Sequence, residues 1–288
     1  MKKLVFLFVV IYFGLFLVLS KKPEDISASG KQNKVDIVKT SAQVATNSGH
    51  GSGVFFKSKD KTFVWTAAHV VAGARYAEFV IDPDTKSIKY HIKYGKVIVK
   101  LNDIQDDKVV AVNSYFAQII RFSDDLCDGH DLALLLLDKN NVDGIQSVVF
   151  SNTSPSVLDR VVCVGGSETH PHSVSEGIIS GKNRFVSRVN NGVFGKLYDQ
   201  VTLSALSGCS GGGVFTYSDN KCVGLLAAGI DGSECVNIIV PTRRIKDYCE
   251  KSRCMWAFDN TINLPDDILS PDFLTDKPVP LSMLVGTP

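Results

Sequence analysis

Gly208-Cys209-Ser210-Gly211-Gly212-Gly213 sets one serine in a run of glycines, and what stands upstream of it decides the fold. A serine hydroxyl becomes a nucleophile only when a positioned imidazole takes its proton and a carboxylate fixes that imidazole's tautomer. Both partners come earlier in the chain: His69 in Thr66-Ala67-Ala68-His69-Val70, and Asp131 in His130-Asp131-Leu132-Ala133-Leu134-Leu135. The order His, Asp, Ser excludes two other architectures. Residues 208–212 match the Gly-x-Ser-x-Gly elbow of α/β-hydrolases, but that fold places its histidine after the serine, and no histidine follows His172. A subtilisin-type order needs the aspartate first; Asp60, the nearest before His69, lies in the polar stretch Lys57–Lys61, which reads as a turn.

Around these motifs run many short apolar or alternating segments bounded by Gly, Asp, Asn and Ser. They are Gly53–Phe56, Phe63–Ala68, Val97–Leu101, Val109–Val112, Ala133–Leu137 and Val161–Val164. That spacing predicts an all-β sandwich or barrel rather than βαβ units. Ile88, Tyr90, Ile92 and Tyr94 alternate with Lys89, His91 and Lys93, the pattern of a half-exposed strand whose basic side faces water. From Thr242 the periodicity turns helical, with Ile245, Tyr248 and Cys249 on one side. Five prolines beyond Asn260 predict an extended or disordered tail.

At 288 residues, 44% hydrophobic and 21% charged, the chain has the composition of an ordinary globular protein. A formal charge of +1 gives no reason to expect a nucleic-acid partner. Lys2 and Lys3 precede an unbroken apolar run from Leu4 to Leu19, with Val18 and Ser20 small enough to flank a cleavage, which reads as a secretory signal. The alternative is a retained membrane anchor, although sixteen helical residues reach only about 24 Å against a hydrocarbon core of about 30 Å. Either way the body of the protein crosses a membrane, into a setting that permits disulfides. Seven cysteines, an odd number, leave at least one without a partner in the chain. No Cys-x-x-Cys couple or Cys/His cluster suggests zinc, and no cofactor is called for. The domain reading is a signal or anchor over 1–20, a polar linker over 21–40, a first β unit over 41–155 carrying His69 and Asp131, a second over 156–257 carrying Ser210, and a proline-containing tail over 258–288.

These residues resemble the trypsin-like serine proteases, and among them the protease domain of the high-temperature-requirement branch. Gly51-Ser52-Gly53-Val54-Phe55-Phe56 followed by Val64–Val71 is similar to that branch's first-barrel strand pair leading to the catalytic histidine, and Asp131–Leu135 to its aspartate-bearing strand. Val164-Gly165-Gly166, Ser173–Gly181, Cys222–Gly229 and Asn237–Pro241 resemble segments of the second barrel. The likeness runs from about Val44 to Tyr248 and implies two antiparallel β-barrels with a short C-terminal helix and an active site between the barrels. About forty residues follow Tyr248, too few for the PDZ module usual in that branch.

The resemblance implies roles. Ser210 would attack the acyl carbonyl, His69 serve as base and then acid, and Asp131 hold His69; the N–H groups of Gly208 and Ser210 would form the oxyanion hole. Ser204, six residues before the nucleophile, would lie at the base of the pocket for the side chain preceding the cut bond, with Ala227, Ala228 and Gly229 forming a wall. A serine at that base carries no charge, so small or medium apolar side chains are expected there, unless Asp231 or Glu234 reaches the pocket and invites a basic one. Cys163 and Cys222 resemble positions that some relatives bridge; Cys249 and Cys254 are a second candidate pair, though five residues apart on a regular helix they point differently. Cys209 stands where relatives commonly carry aspartate or asparagine and reads as a small buried residue.

Other candidates read as structural. His130 is assigned to the surface, since neighbours on a strand face opposite ways. Asp124, Asp125 and Asp128 read as loop acids, His50 as a loop residue before a turn at Gly51–Gly53, and His170 and His172 as a surface loop without metal partners. The expected function is an exported serine endopeptidase acting on protein or peptide substrates, with contact to a membrane only if residues 4–19 are retained. A viral processing protease and an inactive binding module of the same fold stay open as alternatives.

Overall fold

The computed structural model describes residues 36–84, 86–105, 108–123, 129–166, 172–185, 197–229 and 235–269. All of them belong to the second of two units into which the chain divides, Val35–Pro288. The segment Leu4–Leu19 lies outside the described residues, among which no helix is long and apolar enough to cross a membrane.

Two closed six-stranded antiparallel barrels make up the structure. The first runs in the order β1 (Ser41–Thr46), β2 (Gly49–Ser58), β3 (Lys61–Thr66), β8 (Leu132–Leu137), β7 (Lys108–Ser123), β6 (Val97–Gln105). The second runs β10 (Ser173–Phe185), β11 (Leu197–Val201), β14 (Asn237–Pro241), β13 (Cys222–Gly229), β12 (Gly213–Thr216), β9 (Arg160–Gly165). Closure removes the sheet edges that would otherwise invite another chain to pair. A short helix α1 (Ala68–Val71) follows β3, and α2 (Thr242–Lys251) follows β14 with Ile245, Tyr248 and Cys249 buried as the periodicity predicts.

Several strands are apolar on both faces, and the reason is packing. In β8, Ala133, Leu135 and Leu137 fill the first barrel, while Leu132 and Leu134 point the other way into a core drawn from both barrels. The same division separates Phe55 from Val54 and Phe56 in β2, and Val64 from Phe63 and Trp65 in β3. In the second barrel Val223 and Leu226 of β13 face the interior, and Cys222, Leu225 and Ala227 face the shared core. A period of two along β2, β3 and β8 therefore delivers side chains alternately to two hydrophobic environments; in β13 an irregularity at Val223, skipped in the pairing with β12, shifts the alternation by one residue.

Four expectations change. Strand β5 (Ile88–Tyr94) exists as expected but belongs to neither barrel; among the described residues it pairs with β4 (Arg75–Ile81) alone, leaving Phe79, Ile81 and Ile88 exposed. Residues 37–40 form a 3-10 turn tied to the first barrel, where the Lys39 carbonyl accepts the Gln146 N–H at 3.0 Å and Thr40 is buried. Gly51–Gly53 is not a turn: His50 and both glycines lie within β2, paired across to β1. The chain beyond Asn260 is not a loose tail as far as residue 269, because Leu264 and Ile268 are buried in the shared core; residues 270–288 lie outside the described residues.

Candidate active site

His69 sits in the single turn of α1, just after Ala67 brings the chain out of β3 in extended conformation. Asp131 immediately precedes β8 in the left-handed region (φ 54°), two residues after Gly129 (φ 75°). This double reversal carries the carboxylate under α1. Its Oδ1 accepts the backbone N–H of His69 at 3.0 Å, and the imidazole Nδ1 stands 3.0 Å from both carboxylate oxygens. The His69 side chain is 40% exposed and that of Asp131 only 7%, so the ring is partly reached by solvent while its carboxylate partner is shut away from water.

The aspartate's approach segment is gripped from the C-terminal helix. Arg244 stacks its guanidinium 4.3 Å from the Tyr198 ring and donates to the carbonyl of Gly129. His130 is buried at 3% exposure, not on the surface: its Nε2 lies 3.8 Å from the Asp247 carboxylate, and its ring packs 5.4 Å from that of Tyr248. The strand-alternation argument fails for His130 because β8 starts only at Leu132. Asp124, Asp125, Asp128, His170, Asp231 and Glu234 lie outside the described residues.

Ser210 arrives from the second barrel on the loop between β11 and β12. Gly208 (φ 97°) and Gly211 (φ 84°) adopt backbone angles that side chains rarely tolerate. At Gly211 a Cβ would also overlap Thr66 Oγ1 and lie 2.8 Å from the Ala67 nitrogen. A Cβ on Gly51 would lie 2.8 Å from the Ser210 carbonyl and 2.6 Å from Val70, the residue after His69. These close approaches place the serine loop of one barrel against the histidine segment of the other. The Ser210 hydroxyl donates to the Ala227 carbonyl at 3.4 Å.

Backbone N–H groups on both sides of Ser210 are in use. Cys209 N–H donates to Leu206, Gly211 N–H to Leu226 and Gly212 N–H to Cys209, at 3.0, 2.7 and 2.9 Å. Among the described residues, the N–H groups of Gly208 and Ser210 find no backbone acceptor. Those are the two donors assigned to an oxyanion.

Ser204 is exposed, early in this loop, and Ala227, Ala228 and Gly229 end β13, with Ala227 skipped at a register shift between Leu226 and Ala228. One residue between them escapes a reading of the sequence. Asn237 is buried on β14, opposite Gly229, and its amide donates to the carbonyl of Leu203, the neighbour of Ser204. A lone polar residue opening the apolar run Asn237–Pro241 is the available signal. Ser52, between two glycines of β2, is a second such residue; it is fully buried and bonded to the serine loop.

The cysteines form no bridge among the described residues. Cys163 points into the second barrel and Cys222 into the shared core, and both are free thiols. Burial pushes both up, that of Cys222 to about 12. Cys209 is buried as expected, with its thiol also pushed up by burial. Cys249 and Cys254 are free and do not lie on one regular helix: Arg253 (φ 53°) reverses the chain after α2, and Cys254 N–H donates to the Cys249 carbonyl at 2.8 Å. Among the described residues no group of three or more His, Cys, Asp or Glu side chains could hold a metal ion.

Comparison with known proteins bears on this arrangement. Solved structures with the same fold include the Rv3671c protease of Mycobacterium tuberculosis in its inactive form, at 16% identity and TM-score 0.53, covering 75% of this chain and 89% of that one. A serine endoprotease from Yersinia pestis matches at 20% identity and TM-score 0.50, over 76% of this chain and 64% of that one, and Deg5 at 19% and 0.50, over 73% and 87%. No curated protein sequence matches the chain. The model of the trypsin-like peptidase domain matches residues 51–225, more than half of the chain and the whole stretch from Gly51 to the strand behind Ser210. On that match the chain belongs to the trypsin-like peptidase family and is a serine peptidase, acting on protein or peptide substrates.

Proposed function

We propose that the protein is an exported serine endopeptidase that cuts through an acyl-enzyme, with Ser210 as nucleophile, His69 as general base and acid, and Asp131 as its anchor. The observation that carries this reading is the imidazole of His69 held through Nδ1 by a buried carboxylate at 3.0 Å. A proton fixed on Nδ1 leaves Nε2 as the acceptor. His69 takes the Ser210 proton as Oγ bonds to the scissile carbonyl carbon, and the carbonyl oxygen becomes an anion facing the N–H groups of Gly208 and Ser210. Each such donor is worth about 3 kcal/mol of barrier. His69 then returns the proton to the leaving amine as the C–N bond breaks, and water repeats the sequence on the acyl-enzyme while Asp131 holds the ring in place.

The neutral groups around the expected specificity pocket, Ser204, Asn237 and the alanines of β13, favour small or medium apolar side chains before the cut bond. Export rests on the apolar run Leu4–Leu19 after two lysines. A fluorophosphonate probe tests the reading without knowledge of the substrate. The wild-type protein should become labelled on the peptide containing Ser210, and folded Ser210→Ala should not. Absence of label on the folded wild type, which would suit an inactive binding module, or equal labelling of Ser210→Ala, overturns it.

A further inference from the structure

Ser52 belongs to the first barrel, yet most of its hydrogen bonds go to the second. Its side chain is fully buried in β2 between Gly51 and Gly53, where an unbonded hydroxyl would be costly. The Oγ accepts the N–H of Gly166 at 3.0 Å and donates to the carbonyl of Gly208 at 2.7 Å. With the longer 3.4 Å approach to the Gly166 carbonyl as its rival, the hydroxyl proton is committed to Gly208. The backbone of Ser52 joins the same loop, its N–H donating to the Ser210 carbonyl at 2.8 Å, while its carbonyl accepts Thr66 Oγ1 at 2.6 Å.

One residue therefore holds the carbonyls of both Gly208 and Ser210. The peptide between Cys209 and Ser210, which carries the Ser210 N–H, lies between the two peptides so held, and its own carbonyl is taken by Gly212. Gly208 is the soft point of this loop, because a glycine at φ 97° can leave that conformation at little steric cost. The loop's other backbone bonds stay within the loop, to Leu206 and Cys209, or go to Leu226 of β13 in the second barrel. Among the described residues, Ser52 alone ties the 208–209 peptide to the barrel that carries His69.

We propose that Ser52 is a positioning residue for the oxyanion hole, its hydroxyl latching the Gly208 peptide so that the N–H groups of Gly208 and Ser210 keep a fixed aim relative to His69. This rests on the catalytic reading of Ser210, and the two can fail separately. The test compares wild type, Ser52→Ala and Ser52→Cys by the second-order rate of fluorophosphonate labelling at Ser210, by kcat and KM on a peptidyl p-nitroanilide ending in Ala, Val or Leu, and by thermal melting. Misplacement of catalytic groups by about 1 Å costs on the order of 100-fold. Ser52→Ala should lose labelling rate and kcat by roughly that factor with KM changed less than about threefold, and Ser52→Cys, a weaker donor, should fall between. Labelling of folded Ser52→Ala within twofold of wild type, or a loss confined to KM, overturns the latch. Should the alanine variant not fold, folded Ser52→Cys decides alone: a labelling rate equal to wild type overturns the latch, and a reduced one supports it. An unlabelled wild type refutes the catalytic reading and the latch with it.

Discussion

Replacing Asp131 by asparagine separates the carboxylate's electronic role from its structural one, because the site is suited to this one substitution. Residue 131 sits at φ 54°, where asparagine is among the few side chains tolerated and alanine would add strain. The two side chains have the same shape, so the buried space is filled as before. The Asn oxygen can still accept the His69 backbone N–H, which stands 3.0 Å from Asp131 Oδ1. What changes is the second position facing Nδ1, which turns from acceptor into N–H donor. The retained oxygen, already taken by the His69 N–H, is shared at 3.0 Å with Nδ1, so the new N–H donor favours an imidazole that accepts at Nδ1 and carries its proton on Nε2, the wrong tautomer for taking a proton from Ser210. The expected loss in turnover is about 10⁴-fold, which corresponds to about 5.4 kcal/mol of barrier at 1.36 kcal/mol per decade. Fluorophosphonate labelling rates and hydrolysis of a mixed peptide library should both show it, with the melting temperature little changed. Because the two residues act as a unit, His69→Ala with Asp131→Asn should be no slower than His69→Ala alone. Folded Asp131→Asn labelled within tenfold of wild type would refute the argument, since the tautomer would then not matter.

Two further outcomes follow from buried groups. Iodoacetamide at pH 8 should modify exposed Cys235 in the folded protein and spare Cys163 and Cys222, which are buried with their thiols pushed up, until denaturant is added; peptide mapping that finds either modified in the native state overturns this. His172 faces a cavity also lined by Asp36, Lys39, Asp103 and Asp143, and burial lowers its affinity for a proton. Its folded pKa lies below the unfolded value near 6.5, so this contribution to stability is present above that value and lost as pH falls toward the folded one. The urea midpoint should drop over that window, and less so in His172→Gln; equal slopes for the two proteins refute it.

What can be read from the sequence is set by chemistry that restricts residue type. A serine nucleophile needs histidine and a carboxylate, so His69, Asp131 and Ser210 stand out, and their order excludes rival folds before any strand is paired. The Leu132–Leu137 run announces burial, but a period of two cannot say that its second face meets another barrel. Ser52 gives only the faint signal of a serine between two glycines, and Asn237 that of one polar residue opening an apolar strand, because their partners lie 114 and 156, or 34, positions away. His130 is misplaced by strand alternation because the strand begins two residues later. The prolines after residue 260 exclude helix and central strand, yet they do not prevent single side chains such as Leu264 and Ile268 from reaching a core.

A site divided between two barrels is only as well aligned as the contact between them, and here that contact is itself a hydrophobic core. Trp65, three residues before Ala68 in the histidine-bearing segment, donates its indole N–H to the Ala257 carbonyl at 2.8 Å and meets Tyr248 of α2 edge-on at 6.3 Å. Phe63 packs 4.9 Å from Trp256, and Phe150 stacks on Phe258 at 5.1 Å. Within this core lies Arg121 of β7, with no exposed surface and its proton affinity lowered by burial. A guanidinium so placed must be met by acceptors, and it donates to the carbonyls of Ile120, Ser252 and Ile268 at 2.8, 3.0 and 3.1 Å. Two of those carbonyls belong to the chain after α2, and β7 pairs Arg121 with Leu134 of the strand that Asp131 introduces. The C-terminal stretch up to Ile268 therefore buttresses the aspartate from behind, while Arg244 grips Gly129 just ahead of it. On this geometry a chain cut back before Ser252 takes the Ser252 and Ile268 carbonyls from a buried cation, and the first element to loosen is the β7–β8 pair that carries Asp131 toward His69.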